Sequence, residues 1–485
     1  ISDFLIKLMK LPIGFFDTKM IGDIMQRIGD HTRIENFLTT STLNILFSML
    51  NLVIFGFVLA IYDMRIFLIF TIGSLLYFFW IYLFLKKRRE LDFKRFSQLS
   101  ENQSNVIQLI MGMQEIKLNN CEKQKRWEWE RIQARLFRIN IKSLSLSQYQ
   151  QIGSIFINQT KNIIISFYAA KGVIDGSMTL GMMMAVQYII GQLNAPIEQL
   201  ITFMQATQDA QISLERLGEI HKKKDEESVE EPKVTILPEN KNLTISGLSF
   251  QYEGPHSEHV LKDLDLVIPE SKVTAIVGVS GSGKTTLVKL LLGFYPPTKG
   301  EIKVGEIDLR NISNRMWRQK IGVVLQDGFI FSDTIAKNIA VSDETVDKKR
   351  LLEAAKIANV QEFVDSLPLS FNTKIGQEGH GLSQGQKQRI LIARAAYSNP
   401  EYLFFDEATN ALDANNERSI MENLEGFFKG RTVVIVAHRL STVKNADQIV
   451  VLDKGRIIEK GTHQELTQLR GAYFNLVKNQ LELGN

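Results

Sequence analysis

Two long runs of uncharged residues lie close together near the start of the chain. Residues 36–62 contain no charged side chain, and their last twenty, LNILFSMLNLVIFGFVLAIY, match the length of a helix that crosses about 30 Å of hydrocarbon. A short break containing Asp63 and Arg65 precedes a second uncharged run at residues 66–85. This pattern predicts two membrane-spanning helices joined as a hairpin.

The charges around this hairpin predict its orientation. The second run ends in KKRR at residues 86–89, and basic residues beside a span are typical of its cytoplasmic end, so the loop at Asp63 is expected on the outer side. A nucleic-acid patch is the alternative interpretation of KKRR. Residues 1–35 carry charges every few positions and a break at Leu11 and Pro12, which predicts a cytoplasmic segment and excludes a signal peptide.

The stretch after the hairpin is polar and helical in its pattern. Residues 89–147 contain no proline and place apolar side chains at helical spacing, so they predict long amphipathic helices that protrude into water. We expect a turn between these helices at residues 119–125. Cys121 lies in this turn, and because it is the only cysteine, the chain has no intrachain disulfide.

Two weaker spans are predicted at residues 152–168 and 178–204, which would return the chain to the cytoplasm after four crossings. Polar residues interrupt both spans: Asn158, Lys161 and Asn162 in the first, and Gln187, Gly191, Asn194 and Glu198, spaced to share one helical face, in the second. A lysine at the centre of a span costs about 2.5–3.5 kcal/mol on insertion scales, so exposure of Lys161 to lipid is disfavoured. Two alternatives stay open: the polar faces line a water-filled pathway, or they form hydrogen bonds inside the helix bundle, with Glu198 on a cytoplasmic extension of the helix.

A charged segment separates two unlike halves of the chain. Residues 221–238, HKKKDEESVEEPKVTILP, show no sustained periodicity and predict a domain boundary. A chain of 485 residues is too long for one compact core. With 45% apolar and 23% charged residues and a formal net charge of +4, the composition excludes low-complexity disorder and gives no global signal for nucleic acid.

The second half contains a strand, a glycine-rich loop and a helix in direct succession. The apolar run KVTAIV at residues 272–277 leads into GVSGSGKT at residues 278–285 and then into a helical pattern. A loop of this kind cradles phosphate oxygens with its amides, Lys284 reaches the β- and γ-phosphates, and Thr285 can hold Mg²⁺. The motif therefore predicts a nucleoside triphosphate site.

A second apolar run, YLFFDE at residues 402–407, ends in two carboxylates. Asp406, at the predicted end of the strand, can ligate Mg²⁺ directly or through water, and Glu407 can polarise the attacking water. Hydrolysis requires both the metal and the water to be placed in line with the γ-phosphate. Together with the phosphate loop, the two acids predict an ATPase.

The segment just before these carboxylates resembles a known family. LSQGQKQR at residues 382–389 is similar to the signature sequence of ATP-binding cassette (ABC) ATPases, although Gln384 stands where the pattern usually has a glycine. By the same resemblance Tyr252 stacks on adenine, and Asp413 and His438 match the loop that crosses the dimer and the histidine that contacts the γ-phosphate. Taken alone, Tyr252, Gln326 or His438 would carry no functional assignment.

The motifs and the resemblance together assign three groups of site residues. The expected ATP-binding residues are Tyr252, Gly278, Ser280, Gly281, Ser282, Gly283, Lys284, Thr285, Thr286, Gln326, Ser383, Gly385, Gln386 and Asp413. The expected catalytic residues are Glu407, His438 and Lys284, and the expected Mg²⁺ ligands are Thr285, Gln326 and Asp406.

The order of the two halves resembles ABC exporters, in which the spans precede the cassette on one chain. The stretch TKIGQEGHGLSQGQ at residues 373–386 agrees with this, although Gln377 stands where an acid is common. Exporter halves normally have six spans, and four are visible, so we interpret the chain as an N-terminally truncated piece. GDIMQRIGDHTRIENFL, QEIKLNN and LNAPIEQL resemble the peptidase-associated bacteriocin or peptide exporters. No peptidase is assigned, because no cysteine and histidine pair is arranged for nucleophilic catalysis.

The predicted fold is an α-helical transmembrane domain at residues 1–220, a linker at 221–240, and an α/β P-loop ABC nucleotide-binding domain at 241–485. The predicted function is ATP-driven export of a peptide or bacteriocin-like polypeptide across the cytoplasmic membrane, with the ATPase in the cytoplasm. The alternatives are a lipid or drug exporter and a membrane-anchored ATPase that does not transport. The expected cofactors are ATP and Mg²⁺. The expected partners are a second copy of the chain or a related half-transporter, membrane lipid and a peptide-like cargo, with no nucleic acid.

Overall fold

The chain forms two compact units, one helical and one built from sheets and helices. The computed structural model describes residues 2–227, 233–252, 257–376, 379–408, 414–437 and 443–482, with the backbone alone at 414–418 and 479–482. The first unit comprises Ile1–Leu11 and Phe15–Asp225, and the second comprises Pro12–Gly14 and Glu226–Asn485.

Helices make up the first unit. In chain order they are α1 Ser2–Met9, α2 Ile13–Thr18, α3 Ile21–Asn36, α4 Thr42–Tyr62, α5 Met64–Met111, α6 Met113–Leu118, α7 Glu122–Ile174 and α8 Leu180–His221. A π-helical turn at Phe37–Ser41 connects α3 to α4. The predicted break at Leu11 separates α1 from α2, and the predicted turn near Cys121 separates α6 from α7.

The predicted hairpin is formed by α4 and α5. The two helices meet at Asp63, whose carboxylate accepts hydrogen bonds from the amides of Arg65 (2.7 Å) and Ile66 (3.2 Å) and thereby caps α5. α5 continues well beyond the predicted end of the span at residue 85. Of the helical segments in the described part of the chain, Ile21–Tyr62 and Met64–Met111 have the length and apolar composition needed to cross a membrane.

The two weaker spans lie within longer helices. Residues 152–168 are part of α7, and nearly all of residues 178–204 belong to α8, which begins at Leu180 and continues through Pro196. Neither helix has an apolar segment like those of α4 and α5. The total of four spans therefore stays a prediction.

Lys161 of α7 is buried inside the first unit. The residue is 4% exposed, its Nζ donates a hydrogen bond to Asn194 Oδ1 of α8 at 3.1 Å, and Nζ lies 4.3 Å from the centroid of the Phe70 ring on α5. Gly73 leaves room for the lysine stem, since a Cβ there would lie 2.7 Å from Lys161 Cγ. For Lys161 and Asn194 the structure favours hydrogen bonds inside the bundle over a water-filled pathway, whereas Glu198 is exposed.

A buried ionic cluster joins α3, α5 and α8. Arg216 of α8 is 2% exposed and pairs with Asp92 of α5 and with Asp30 of α3, where Nη1 and Oδ1 are 3.6 Å apart. Ser213 Oγ donates to Asp30 Oδ1 at 2.9 Å, and the guanidinium lies 4.3 Å from the centroid of the Phe96 ring. The side chain of Arg216 therefore supplies one counter-charge to two carboxylates on different helices.

Strands and shorter helices make up the second unit. The strands are β1 Leu243–Phe250, β2 Leu261–Ile268, β3 Val273–Val277, β4 Lys299–Val304, β5 Ile307–Asp308, β6 Ile321–Val324, β7 Asp333–Thr334, β8 Lys374–Ile375, β9 Tyr402–Asp406, β10 Thr432–Val436, β11 Gln448–Asp453 and β12 Arg456–Gly461. The α-helices are α9 Lys284–Leu291, α10 Asn314–Lys320, α11 Ile335–Ile339, α12 Lys348–Ile357, α13 Gln361–Asp365, α14 Gln384–Tyr397, α15 Ala414–Phe428, α16 His463–Leu469 and α17 Ala472–Glu482. Short 3₁₀ turns lie at Leu309–Asn311 and Ser370–Asn372.

The main sheet of this unit is largely parallel. Its strand order is β12-β11-β3-β10-β9-β6, with β12 antiparallel to β11 and every other neighbouring pair parallel. In the central register Val434 of β10 lies between Thr274 of β3 and Phe404 of β9. A separate antiparallel sheet has the order β2-β1-β4-β5, and β7 pairs with β8. The carboxyl ends of β3, β10 and β9 therefore share one edge of the main sheet.

Alternate residues of the central strands face different cores, because successive side chains of a strand point to opposite sides of the sheet. Ala275 and Val277 of β3 and Phe405 of β9 pack against the side that carries α11, α12 and α14. Ile276 and Phe404 pack against α9 and the antiparallel sheet. The main sheet is covered on both faces. This burial explains why the sequences of its parallel strands are nearly continuous apolar runs.

We expect Arg216→Ala to lower the free energy of unfolding by at most about 3–5 kcal/mol, because Asp30 and Asp92 lose their buried counter-charge and keep that of the more exposed Arg33. The matched control is Arg89→Ala, since Arg89 pairs with Glu215 at 2.6 Å with both side chains more than 40% exposed. Exposed pairs contribute about 1 kcal/mol or less. Denaturant unfolding of the purified chain in detergent micelles measures both variants, and equal losses of stability would contradict the role of the buried cluster.

Candidate active site

The glycine-rich loop lies between β3 and α9, as the sequence predicts. Gly278 follows β3 directly and packs against the neighbouring strand so closely that a Cβ would lie 2.1 Å from the carbonyl oxygen of Leu452. Gly283, at the start of α9, has φ +102°, a left-handed conformation that side chains disfavour. The loop therefore requires glycine at both positions, and its path leads to the N-terminus of α9, where unpaired amides favour an anion.

Lys284, the first residue of α9, folds back over this loop. Its Nζ donates hydrogen bonds to the carbonyl oxygens of Gly278 (2.9 Å) and Val279 (3.0 Å), and the residue is 6% exposed. Burial lowers the pKa of Lys284, and the nearby carboxylates of Glu407 and Asp406 oppose that shift. The ammonium group is thus held beside the loop and poorly hydrated, which suits a group that pairs with phosphate oxygens.

Asp406 ends β9 in a buried position beside the loop. Thr285 Oγ1 donates to Asp406 Oδ1 at 3.3 Å, and the residue is 1% exposed. Burial raises the pKa of Asp406, the Thr285 hydrogen bond lowers it, and the neighbouring Glu407 raises it further. This pair of a hydroxyl and a carboxylate oxygen fits the oxygen ligands that Mg²⁺ prefers, and Mg²⁺ sites typically use one or two carboxylates together with phosphates. Within the described residues no group of three or more His, Cys, Asp or Glu side chains is arranged for a metal.

Glu407 follows Asp406 in an unusual main-chain conformation. Its φ is +53°, and its amide donates to the carbonyl oxygen of Val436 on β10 at 3.1 Å. Its side chain lines the same cleft as the phosphate loop. The cleft has a volume of about 500 Å³ and is lined by Val260, Ser280, Gly281, Gly283, Lys284, Thr285, Thr286, Gln326 and Glu407. The fold therefore brings together the lysine, the hydroxyl, Gln326 and the two acids that the sequence places up to 123 residues apart.

Tyr252 lies at one side of this site. Its hydroxyl is 3.1 Å from Thr286 Oγ1, and its ring packs edge-on against Phe250 (5.0 Å between centroids) and Tyr295 (5.4 Å). The residue remains 46% exposed. The neighbouring rings hold Tyr252 in place while leaving surface for a flat ligand, and its predicted stacking on adenine stays a prediction.

The signature segment begins α14. Ser383 Oγ accepts the amide of Gln386 (3.2 Å) and Gln386 Oε1 accepts the amide of Ser383 (2.8 Å), so these residues form a capping box. Gln384 is exposed, and its φ is not positive, so the departure from glycine introduces no backbone strain. Ser383, Gly385 and Gln386 are not among the described residues that line the cleft.

The remaining predicted site residues are Ser282, Asp413 and His438. Ser282 is buried in the phosphate loop, and its Oγ has no hydrogen-bond partner among the described residues. Asp413 and His438 lie outside the described residues, as does Gln377. Their assigned roles stay predictions.

Sequence reasoning did not assign two residues that the structure places at the site. Val260, next to β2, lines the cleft, and nothing in the local sequence marks it. Gln388 of α14 donates from Nε2 to the carbonyl oxygen of Glu407 at 3.0 Å. Gln388 lies inside the LSQGQKQR segment. Its acceptor is a main-chain carbonyl 19 residues away, which every residue type has, so the sequence does not mark this hydrogen bond.

Comparisons with known proteins agree over both units. The ABC transporter family model matches residues 261–410, and the model of the ABC transporter transmembrane region matches residues 1–197. Similar curated relatives include the toxin RTX-I translocation ATP-binding protein of Actinobacillus pleuropneumoniae and the leukotoxin translocation ATP-binding protein LktB of Mannheimia haemolytica. Each is 37% identical over 483 residues, which are 98% of this chain and 67% of the relative. The solved structure of a bacterial Atm1-family ABC exporter with ATP bound matches with a TM-score of 0.91 and 25% identity, covering 99% of this chain and 84% of that one.

We expect Lys284→Met to weaken ATP binding about 10- to 150-fold, because a hydrogen bond to a charged group contributes about 1.5–3 kcal/mol. Equilibrium binding of a fluorescent ATP analogue to the full chain in nanodiscs measures the loss. Lys299→Met removes an exposed lysine of the same unit and should leave the affinity unchanged. Wild-type affinity in Lys284→Met would show that this loop is not the phosphate site.

Proposed function

This chain belongs to the ABC transporter family, and we propose that it exports a polypeptide. It is an ATP-driven exporter in which a helical transmembrane region precedes the ATPase on one chain, and ATP hydrolysis is coupled to transport. The predicted ABC exporter fold, ATPase activity and multi-pass location in the cytoplasmic membrane, with the ATPase in the cytoplasm, are confirmed. The alternative of an anchored ATPase that does not transport is excluded.

The observation that carries the proposed mechanism is the shared cleft of the phosphate loop and the paired acids. Lys284, the loop amides and the N-terminus of α9 supply positive charge for the β- and γ-phosphates. Glu407 supplies a carboxylate to the same cleft, where it can polarise the attacking water. We assign the binding of ATP to the positively charged groups and the activation of water to Glu407.

Three oxygen-bearing side chains would hold Mg²⁺ in this cleft. Thr285 and Asp406 already approach each other within 3.3 Å, and Gln326 lines the same space. Bound there, Mg²⁺ would neutralise part of the phosphate charge. The role of Asp406 is to keep a carboxylate at the end of β9, buried and oriented by the threonine hydroxyl.

The signature residues support a second copy of the chain as partner. Ser383 is exposed at the N-terminus of α14, a helix of 14 residues, and it does not line the cleft of its own chain. A helix N-terminus of this length favours an anion. We infer that Ser383 and Gly385 cover the ATP bound by Lys284 of a second copy, so that two cassettes close head to tail around two ATP molecules. A related half-transporter would present the same surface.

The cargo proposal rests on the relatives over the whole chain. Both relatives named above are described as toxin translocation ATP-binding proteins, and the similarity covers 98% of this chain, including the membrane unit. This supports a polypeptide over a lipid or a drug. The narrower bacteriocin-like class stays a prediction.

We expect Glu407→Gln to retain ATP binding and to lower ATP turnover at least about 100-fold, because proton transfer by a positioned side chain contributes roughly 10²–10⁴-fold. Binding and phosphate release are measured on the full chain in nanodiscs. Glu353→Gln, an equivalent substitution at an exposed position of α12, should change neither quantity. An unchanged turnover rate in Glu407→Gln would refute the assignment of the catalytic carboxylate.

The cargo class is tested by reconstituting the chain in liposomes with a polypeptide, fluorescent lipids or lipophilic dyes. We expect the polypeptide to stimulate ATP hydrolysis and to accumulate in vesicles whose ATPase faces outward, while Glu407→Gln vesicles accumulate none. Stimulation and uptake of lipid or dye alone would identify the other exporter class. That result would leave the proposed ATP site intact.

A further inference from the structure

We propose that Gln388 is a positioning residue for Glu407, a role that rests on the proposed function of Glu407 as the catalytic carboxylate. Gln388 lies one turn into α14, is 7% exposed, and donates from Nε2 to the carbonyl oxygen of Glu407 at 3.0 Å. It does not line the cleft, so it acts through Glu407 and not on the nucleotide.

The main chain of Glu407 requires such support. With φ +53° the residue is in the left-handed region, which is unfavourable for a non-glycine residue and persists only where the surroundings enforce it. Among the described residues, two hydrogen bonds to its main chain do so. The amide donates to Val436 of β10 at 3.1 Å, and the carbonyl accepts from Gln388.

The conformation of Glu407 sets the direction of its side chain. The strand before it fixes Asp406 toward Thr285, so the next carboxylate enters the cleft only if the chain turns sharply at Glu407. Without the Gln388 hydrogen bond, Glu407 can relax toward commoner backbone angles, and its carboxylate then leaves the path of the attacking water. Misplacement by about 1 Å is enough to reduce a rate by roughly 100-fold.

The same helix carries the signature residues. Ser383 caps α14 five residues before Gln388, a distance of about 7.5 Å along the helix axis. A shift of α14 therefore moves both the proposed contact with the second copy's ATP and the amide that holds Glu407. The position of α14 therefore determines the alignment of the Glu407 carboxylate.

The test is Gln388→Met in the full chain, because methionine has a similar length and no amide donor. We expect kcat for ATP to fall about 10- to 100-fold, with KM within about twofold of wild type and an unchanged thermal midpoint. The matched control is Gln448→Met, since Gln448 also donates an amide hydrogen bond to a main-chain carbonyl, that of Val267 at 3.2 Å, away from the site. Its kcat should be unchanged.

Two further variants keep the result interpretable. Gln388→Asn retains the donor on a shorter side chain, folds even if methionine is poorly tolerated, and should give an intermediate kcat. Gln388→Met added to Glu407→Gln should cause no further loss of residual turnover, because the group that Gln388 positions is already absent. Additive losses in the double variant would overturn the proposal.

The outcomes separate the two proposals. If Glu407→Gln lowers turnover but Gln388→Met has wild-type kcat, Gln388 does not position the carboxylate and the assignment of Glu407 stands. A parallel loss of thermal stability, ATP binding and kcat in both Gln388 variants would mean that the residue is only structural. If Glu407→Gln itself has wild-type turnover, the proposed function of Glu407 fails, and with it the role of Gln388.

Discussion

The parallel arrangement of β3, β10 and β9 is the constraint on which the site depends. Parallel strands end at the same edge, and neighbouring strands are about 4.8 Å apart, so the residues that follow β3 and β9 lie roughly 10 Å from each other with β10 between them. The cleft at this edge is lined by both Lys284 and Glu407 and has a volume of about 500 Å³. The apolar runs that build the strands thus position charged residues that would otherwise be far apart.

Burial gives these charges their chemical character. Loss of water on burial lowers the pKa of Lys284, which donates to two loop carbonyls, and raises the pKa of Asp406, although the hydrogen bond from Thr285 opposes that rise. The described residues make two hydrogen bonds to Lys284 Nζ and one to Asp406, fewer than the three donors of an ammonium and the several acceptor positions of a carboxylate. In the proposed function, Mg·ATP supplies the complementary groups, phosphate oxygens for the lysine and a cation for the carboxylate. The proposed affinity for this ligand then comes from charges that the fold has already desolvated.

The sequence predicts the chemistry of this site better than the supports that hold it. Lys284 and Asp406 belong to motifs in which phosphate and metal geometry dictate residue type and spacing. They can therefore be recognised from the sequence alone. Val260 lines the cleft and Gln388 contacts the main-chain carbonyl of Glu407, and only folding of the chain brings either residue to its place. In the membrane unit, the uncharged run that forms α4 is equally predictable from the sequence. The ends of α5, α7 and α8 are not predictable in this way, because these helices continue into polar sequence with the same main-chain hydrogen bonding.

Two buried cations of the membrane unit, Lys161 and Arg216, have different kinds of partner. Lys161 is held by one neutral amide and an aromatic face, whereas Arg216 is held by two carboxylates on separate helices. A buried charge that loses a counter-charge is costly, so any motion that separates α8 from α3 and α5 at Arg216 meets a steep penalty. Motion between α7 and α8 at Lys161 breaks only one hydrogen bond to a neutral group, which costs less. The helices that must move during transport are therefore expected to separate at Lys161 before they separate at Arg216.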